Sequence, residues 1–177
     1  MKKGHFTPNE ITYLDDNTIE IKLTQGKTCL IDYKNYDLIK NHRWYYAKSS
    51  YENGYAQTLI TIGDRRKVIQ MHRIILSNIL NNELKIDHIN LNGCDNRESN
   101  LRTCTIKENC RNVNKHRDNK SGYKGVFKKK GRNKYCANIR FNGKLIHIGY
   151  FDTSEDAARA YDAAAIELFG EFAKTNF

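Results

Sequence analysis

The last third of the chain leaves little choice of fold. Tyr123-Lys124-Gly125-Val126-Phe127, then residues 134–141, then residues 146–151 read as three short strands, with a Gly131 turn and an Asn142-Gly143 turn between them. An Asn-Gly pair accepts the two positive φ angles of a type I′ turn, so the last two strands form a hairpin. Thr153 then caps a helix, with Glu155 and Asp156 placed toward its positive end. Ala157, Ala158, Tyr161, Ala164, Ala165 and Leu168 recur at helical spacing, and their small side chains let the helix lie close on a sheet. Gly170 ends it. If Tyr135, Ala137 and Ile139 face the helix, alternation turns Cys136, Asn138 and Arg140 outward.

The first sixty-odd residues read as shorter strands. Thr18 to Leu23 alternates with period two, Gln25-Gly26-Lys27 makes a turn, and residues 28–31 supply a partner strand. Asp32 is placed to cap a short helix through Asp37-Leu38-Ile39. Residues 43–47 and 55–60 flank Glu52-Asn53-Gly54 and predict a second hairpin. Trp44, the only tryptophan, belongs in a small-sheet core rather than on a base-stacking platform. From Val68 the pattern is a strand, a short helix beginning near His72, a strand carrying Asp87-His88, an Asn-rich loop, and a helix from Thr105 to about Val113 with Thr105 and Glu108 as a capping box.

At 177 residues the chain suits one ordinary domain or two small ones. Its net charge of +10 is unevenly placed, since residues 105–144 carry +11 and the rest is close to neutral. A concentrated basic stretch points to a polyanionic partner. The five cysteines form an odd set without a C-x-x-C pair or a signal peptide, so free thiols and a cytoplasmic setting are expected, without a zinc knuckle. No apolar run reaches membrane-spanning length, and no membrane role is expected.

The chemistry sits in Ile86-Asp87-His88-Ile89-Asn90, residues 95–102 and Glu108-Asn109. Asp87 offers a hard oxygen to a divalent ion such as Mg²⁺, which takes few protein ligands. His88 can be neutral near pH 7 and take a proton from an attacking water. Asn109, twenty-one residues further on, is far enough along the chain to return a second oxygen, and Asn100 between them can tie a loop to backbone groups.

From about Met71 to Asn112 this pattern resembles the HNH endonucleases, in the phage and intron-encoded homing type whose last metal ligand is asparagine. The resemblance implies that His88 is the general base, that Asp87 and Asn109 hold one divalent ion, most simply Mg²⁺, and that Asn100 fixes the loop. Asn96 and Arg97 match the family's DNR element, and Met71-His72-Arg73 its histidine-arginine helix start. His72 is either structural or a phosphate contact. Arg73 and Arg97 are further candidate phosphate contacts, as are Lys128 and Lys130 on the C-terminal hairpin.

The C-terminal segment resembles the plant Apetala and ethylene-response-factor DNA-binding domain, through Gly-Tyr-Lys-Gly-Val, Ala-x-Ile-Arg, Ile-Gly-Tyr-Phe, the Ala-Ala-Arg-Ala-Tyr-Asp-Ala-Ala-Ala helix and Asn176-Phe177. That resemblance implies a sheet face in the DNA major groove, here Lys124, Phe127, Lys129, Asn138, Arg140, Leu145 and His147. The expected protein is α+β: an N-terminal small β-rich region (1–66), a ββα-metal nuclease unit (67–113), a basic linker (114–121) and a three-stranded antiparallel sheet packed on one helix (122–177). The expected function is a site-selective, metal-dependent DNA endonuclease, nicking as a monomer in a phage or bacterial host cell. Double-stranded DNA is its partner, and no protein partner is implied. The alternative is a non-catalytic sequence-specific DNA-binding regulator.

Overall fold

A computed structural model describes residues 8–49, 54–76, 84–116, 118–131 and 133–177. The chain is mixed α and β with small antiparallel sheets and divides into two compact units, Met1–Thr105 and Ile106–Phe177. Among the described residues no helix is long and apolar enough to cross a membrane.

In the first unit β1 (Ile11–Tyr13), β2 (Thr18–Lys22) and β3 (Thr28–Asp32) form an antiparallel sheet in that order. The period-two pattern of β2 sends Ile19 and Ile21 into the core, where Cys29 and Ile31 of β3 meet them. Asp32 does not cap the short helix α1 (Tyr36–Ile39) that follows. Its carboxylate accepts the Glu98 backbone N–H at 2.7 Å, and the Asn35 amide donates to the Glu98 carboxylate at 2.9 Å. Both side chains that could serve the helix locally are drawn to a loop more than sixty residues away.

The expected second hairpin forms from β4 (Tyr45–Ala47) and β5 (Tyr55–Ile62), while Glu52 and Asn53 of its turn lie outside the described residues. A further strand, β6 (Arg65–Gln70), pairs with β5 along six residue pairs. It begins three residues before Val68, because backbone pairing and not side-chain burial makes a strand of Arg65-Arg66-Lys67. β6 runs directly into α2 (Met71–Ile75). β7 (Lys85–His88) then pairs antiparallel with β8 (Leu101–Cys104). One core serves the unit: Ile19, Ile21, Ile31, Ile39, Trp44 and Met71 are buried together with Cys94 and Leu101. Trp44 is 2% exposed and its indole donates to the Ile39 carbonyl at 3.0 Å, which places it in the core as its neighbours' pattern predicts.

The second unit opens with α3 (Ile106–Asn109), a single turn that stops four residues short of the expected Val113. Asn109, Asn112 and Asn114 explain the early stop, since asparagine side chains compete for the backbone bonds a helix needs. β9 (Val126–Lys128), β10 (Tyr135–Phe141) and β11 (Lys144–Phe151) form an antiparallel sheet with β10 central. Asn142 (φ 48°) and Gly143 (φ 81°) make its second turn. α4 (Ser154–Phe169) is capped by the Thr153 hydroxyl, which accepts the Asp156 N–H at 3.1 Å. Ala157, Ala158, Tyr161 and Ala165 pack on Val126, Ala137 and Ile139. Gly125 is required here, because its φ is +75° and a Cβ would strike the Tyr161 ring. The tail is stapled back by Asp162, which accepts the Asn176 and Phe177 backbone N–H groups, while the Asn176 side chain accepts the Lys124 N–H.

Candidate functional sites

The β7–β8 pair holds the first site. Register sets Asp87 opposite Arg102 and His88 opposite Leu101. Asp87 is 5% exposed, and its Oδ2 accepts Arg102 Nε at 2.9 Å and Nη2 at 2.8 Å. Both partners are largely withdrawn from water, so removing either would strand a buried charge.

His88 is buried, and its Nε2 lies 3.3 Å from Asn96 Oδ1. With the amide oxygen as acceptor, the pair calls for the proton on Nε2 and leaves Nδ1 as the basic nitrogen. Burial pushes the His88 pKa below the usual histidine value, opposed by the Asn96 hydrogen bond and the Asp87 and Asp95 charges. His72 from α2 packs edge-on against it, with ring centroids 4.9 Å apart, and Tyr55 from β5 lies 5.8 Å from each. His72 is itself 4% exposed, and its Nδ1 has no hydrogen-bond partner. Burial, then the His88 and Arg73 charges, bring its pKa to about 3, so it stays neutral. His72 is thus as buried as His88 and packs against its ring.

The loop from β7 to β8 is held by its own side chains. Asn100 Oδ1 accepts the Asn90 N–H at 2.9 Å while its Nδ2 donates to the Asp95 carbonyl at 2.8 Å, tying both halves together. Arg97 binds Asp95 in a fork, Nε to Oδ1 at 2.8 Å and Nη2 to Oδ2 at 2.7 Å. Burial alone would raise the Asp95 pKa, but Arg97 overcomes it and holds the carboxyl below its usual range. Arg97 thus commits two guanidinium nitrogens to the loop while its side chain stays 37% exposed, and Arg73 is half-buried on α2. The loop is also stitched to β3, where the Leu30 N–H meets the Cys94 carbonyl and the Asn96 N–H meets the Leu30 carbonyl, each at 2.8 Å.

Asn109 ends α3 in the second unit, half-buried. Among the described residues no group of three or more His, Cys, Asp or Glu could hold a metal ion. Beside His88 the hard oxygen donor is the Asp87 carboxylate, with Oδ2 shared by Arg102. Tyr55, Asp95, Asn96 and Arg102 are side chains here that sequence reasoning did not place in the site. Asn96 was visible as part of the DNR element, and Arg102 follows from strand register alone.

The outward face of β9, β10 and β11 is the second site. Phe127 pairs with Cys136, Asn138 with His147, and Arg140 with Leu145. Phe127 is 43% and Leu145 61% exposed. Asn138 Oδ1 lies 3.0 Å from His147 Nδ1 and 3.3 Å from Cys136 Sγ. Arg140 rests one guanidinium nitrogen on the Gly143 carbonyl at 3.3 Å. Tyr150 joins this face, its ring 4.6 Å from His147. Alternation from Leu145 and His147 would place it against the helix, but a bulge in the β10–β11 ladder at Ala137/Asn138 shifts the register. Lys129 and Lys130 are exposed around the hairpin, and the Lys128 amine sits over the Tyr135 ring. Lys124 stands apart from the face: its Nζ donates to the Arg111 carbonyl at 2.8 Å, and burial, then Lys174, lower its pKa to about 8.

Residues 121–171 match the AP2 domain family. The chain is 33% identical to an uncharacterized HNH endonuclease of Acanthamoeba polyphaga mimivirus over 156 residues, which is 86% of this chain and 76% of the viral protein. Over 58 residues, 32% of the chain, it is 52% identical to an ethylene-responsive transcription factor of Arabidopsis thaliana, covering 22% of that protein. A Nicotiana tabacum ethylene-responsive transcription factor matches at 49% over 57 residues, 31% of this chain and 25% of its own.

Proposed function

Because the chain belongs to the HNH endonuclease family and carries an AP2 domain, we propose that it is a site-selective DNA endonuclease of the homing type, nicking duplex DNA as a monomer. The observation that carries this reading is His88, buried and held by Asn96, next to Asp87 in the sequence of β7.

In this mechanism Asn96 keeps the proton on Nε2, so that Nδ1 of His88 accepts one from the attacking water. The water oxygen bonds to phosphorus as the bond to the 3′ oxygen breaks. Asn100 and Asp95 keep the loop from drifting, which holds Asn96 and hence the ring in place. His72 and Tyr55 wall the ring and keep it desolvated. Asp87 and Asn109 are the proposed ligands of one divalent ion, and a carboxylate with an amide oxygen suits Mg²⁺ better than a sulfur-seeking metal. When bound, that ion stabilises charge on the phosphate and the leaving oxygen. The outward face of the AP2 domain, with Phe127, Lys129, Asn138, Arg140, Leu145, His147 and Tyr150, reads or positions the site, and Lys128 and Lys130 meet phosphate at its edge.

The Asp87–Arg102 pair favours a second reading, a DNA-binding regulator whose scaffold no longer cuts, since a guanidinium occupies part of the ligand carboxylate. Relaxation of supercoiled plasmid with Mg²⁺ decides between them. Nicking by wild type that is lost in His88→Ala supports the endonuclease, and plasmid left supercoiled by wild type supports the regulator.

A further inference from the structure

β5 and β6 form a ribbon that leaves the body of the first unit. β4 pairs only as far along β5 as Gln57, so from Thr58 to Ile62 β6 is the strand's one neighbour in the sheet among the described residues. Beyond that point Leu59, Thr61, Gly63, Asp64, Arg65, Arg66, Lys67 and Val68 are all exposed. Leu59 and Val68, directly opposite each other, are 53% and 49% exposed. An isolated two-stranded hairpin is marginal in water, and this one keeps an apolar pair wet and three cations in a row on one strand. Among the described residues Arg65, Arg66 and Lys67 take part in no ion pair, although Asp64 is adjacent. Arg43 adds another cation beside the groove at the ribbon's root, lined also by Asn41, His42, Tyr45, Thr58 and Leu59.

We infer that this ribbon is a second DNA-binding element, built into the nuclease unit and separate from the AP2 domain. The inference rests on the endonuclease reading. A two-stranded ribbon fits a duplex groove, where Arg65, Arg66 and Lys67 meet phosphates along its walls and the Leu59–Val68 pair lies against thymine methyl groups. Its position relative to the chemistry is set by β6, whose six residues lead straight into Met71 and His72, and His72 touches His88. At a rise of about 3.3 Å per residue the ribbon tip lies roughly 20 Å along the chain from the base, or about six base pairs of duplex. The ribbon therefore registers the nuclease unit on DNA close to the scissile phosphate, whatever the AP2 domain contacts.

The test uses the full chain with His88→Ala, so that substrate persists, with and without Arg65→Gln, Arg66→Gln and Lys67→Gln together. Affinity for a duplex is measured against salt by fluorescence anisotropy, and protection is mapped by hydroxyl-radical footprinting. The triple variant is expected to lower the slope of log affinity against log salt by about 2 to 3 and to weaken binding about tenfold or more. It should also lose one protected patch about six base pairs from the cut that wild type makes. Arg65→Lys with Arg66→Lys should retain the slope, since phosphate contact needs charge. If the triple variant melts early, single Arg66→Gln and Lys67→Gln changes should each lower the slope by about one. An unchanged slope and footprint in a chain whose wild type cuts DNA overturns the ribbon inference alone. A wild-type chain that binds no duplex overturns it together with the endonuclease reading.

Discussion

At His88 the proposed base meets a demand that pulls against it, since it would take a proton in a setting that disfavours its charged form. Asn96 and the nearby carboxylates partly offset the burial, which still holds the His88 pKa below the usual histidine value. His88→Ala should lower cleavage by roughly 10²–10⁴-fold and leave duplex affinity near wild type, measured by single-turnover nicking and anisotropy. Equal losses in both would mean a structural histidine. Asn96→Ala should reduce the cleavage rate more than the affinity, because it frees the tautomer without touching DNA. Asp87→Ala and Asn109→Ala should each remove Mg²⁺-dependent activity, and full-rate cleavage by either variant would refute its assignment as a ligand. His72 yields a pH prediction. Its pKa falls from 6.5 to about 3 on folding, so the unfolded chain takes a proton that the folded chain refuses. The stability this contributes is complete above pH 6.5 and is lost as pH falls toward 3, amounting to about 2 kcal/mol by pH 5. His72→Phe should flatten the acid side of the stability profile in urea melts, and an unchanged slope would show that the histidine is not buried neutral.

Elements with local causes behaved as local rules predict. α4 has its cap, its small-residue face and its glycine stop within one segment, and the Asn142-Gly143 turn needs only its own two residues. Gly125 shows what that motif is for: Gly125→Ala forces a side chain into a positive φ and into Tyr161, and should cost about 1–3 kcal/mol in a thermal melt of the full chain. Where a cause lies elsewhere in the chain, local rules mislead. The Asp32 carboxylate and the Asn35 amide serve Glu98 rather than α1, and the β10–β11 bulge moves Tyr150 to the outer face. Tyr150→Ala and Arg140→Ala should both weaken binding to the preferred site. The Arg140 loss should be on the order of 1–3 kcal/mol, with relaxed preference on scrambled duplexes. If Tyr150→Ala binds as wild type, the bulged face is not the one that meets DNA.

For the whole molecule the prediction concerns division of labour between the nuclease residues and the AP2 domain. Deleting residues 121–177 should leave Mg²⁺-dependent nicking but scatter its positions, read by primer extension on nicked plasmid; retained positions would show that the AP2 domain is not the reader. The sequence alone determined the family and the C-terminal unit: Asp87-His88, Asn100 and Asn109 stand in family-like spacing, and the cap, turn and alanine face of the C-terminal unit follow. The C-terminal signals are legible because each lies in a short contiguous stretch whose backbone preferences do not depend on distant residues. Only the tertiary structure decided that Asp87 is bridged by Arg102, that His72 walls His88, that β3 holds the loop carrying Asn96, and that a basic ribbon stands out from the first unit. Strand register and burial settle such matters, because a shift of one residue in pairing exchanges the faces of a strand, and the free energy that selects one register comes from side chains far apart in the chain.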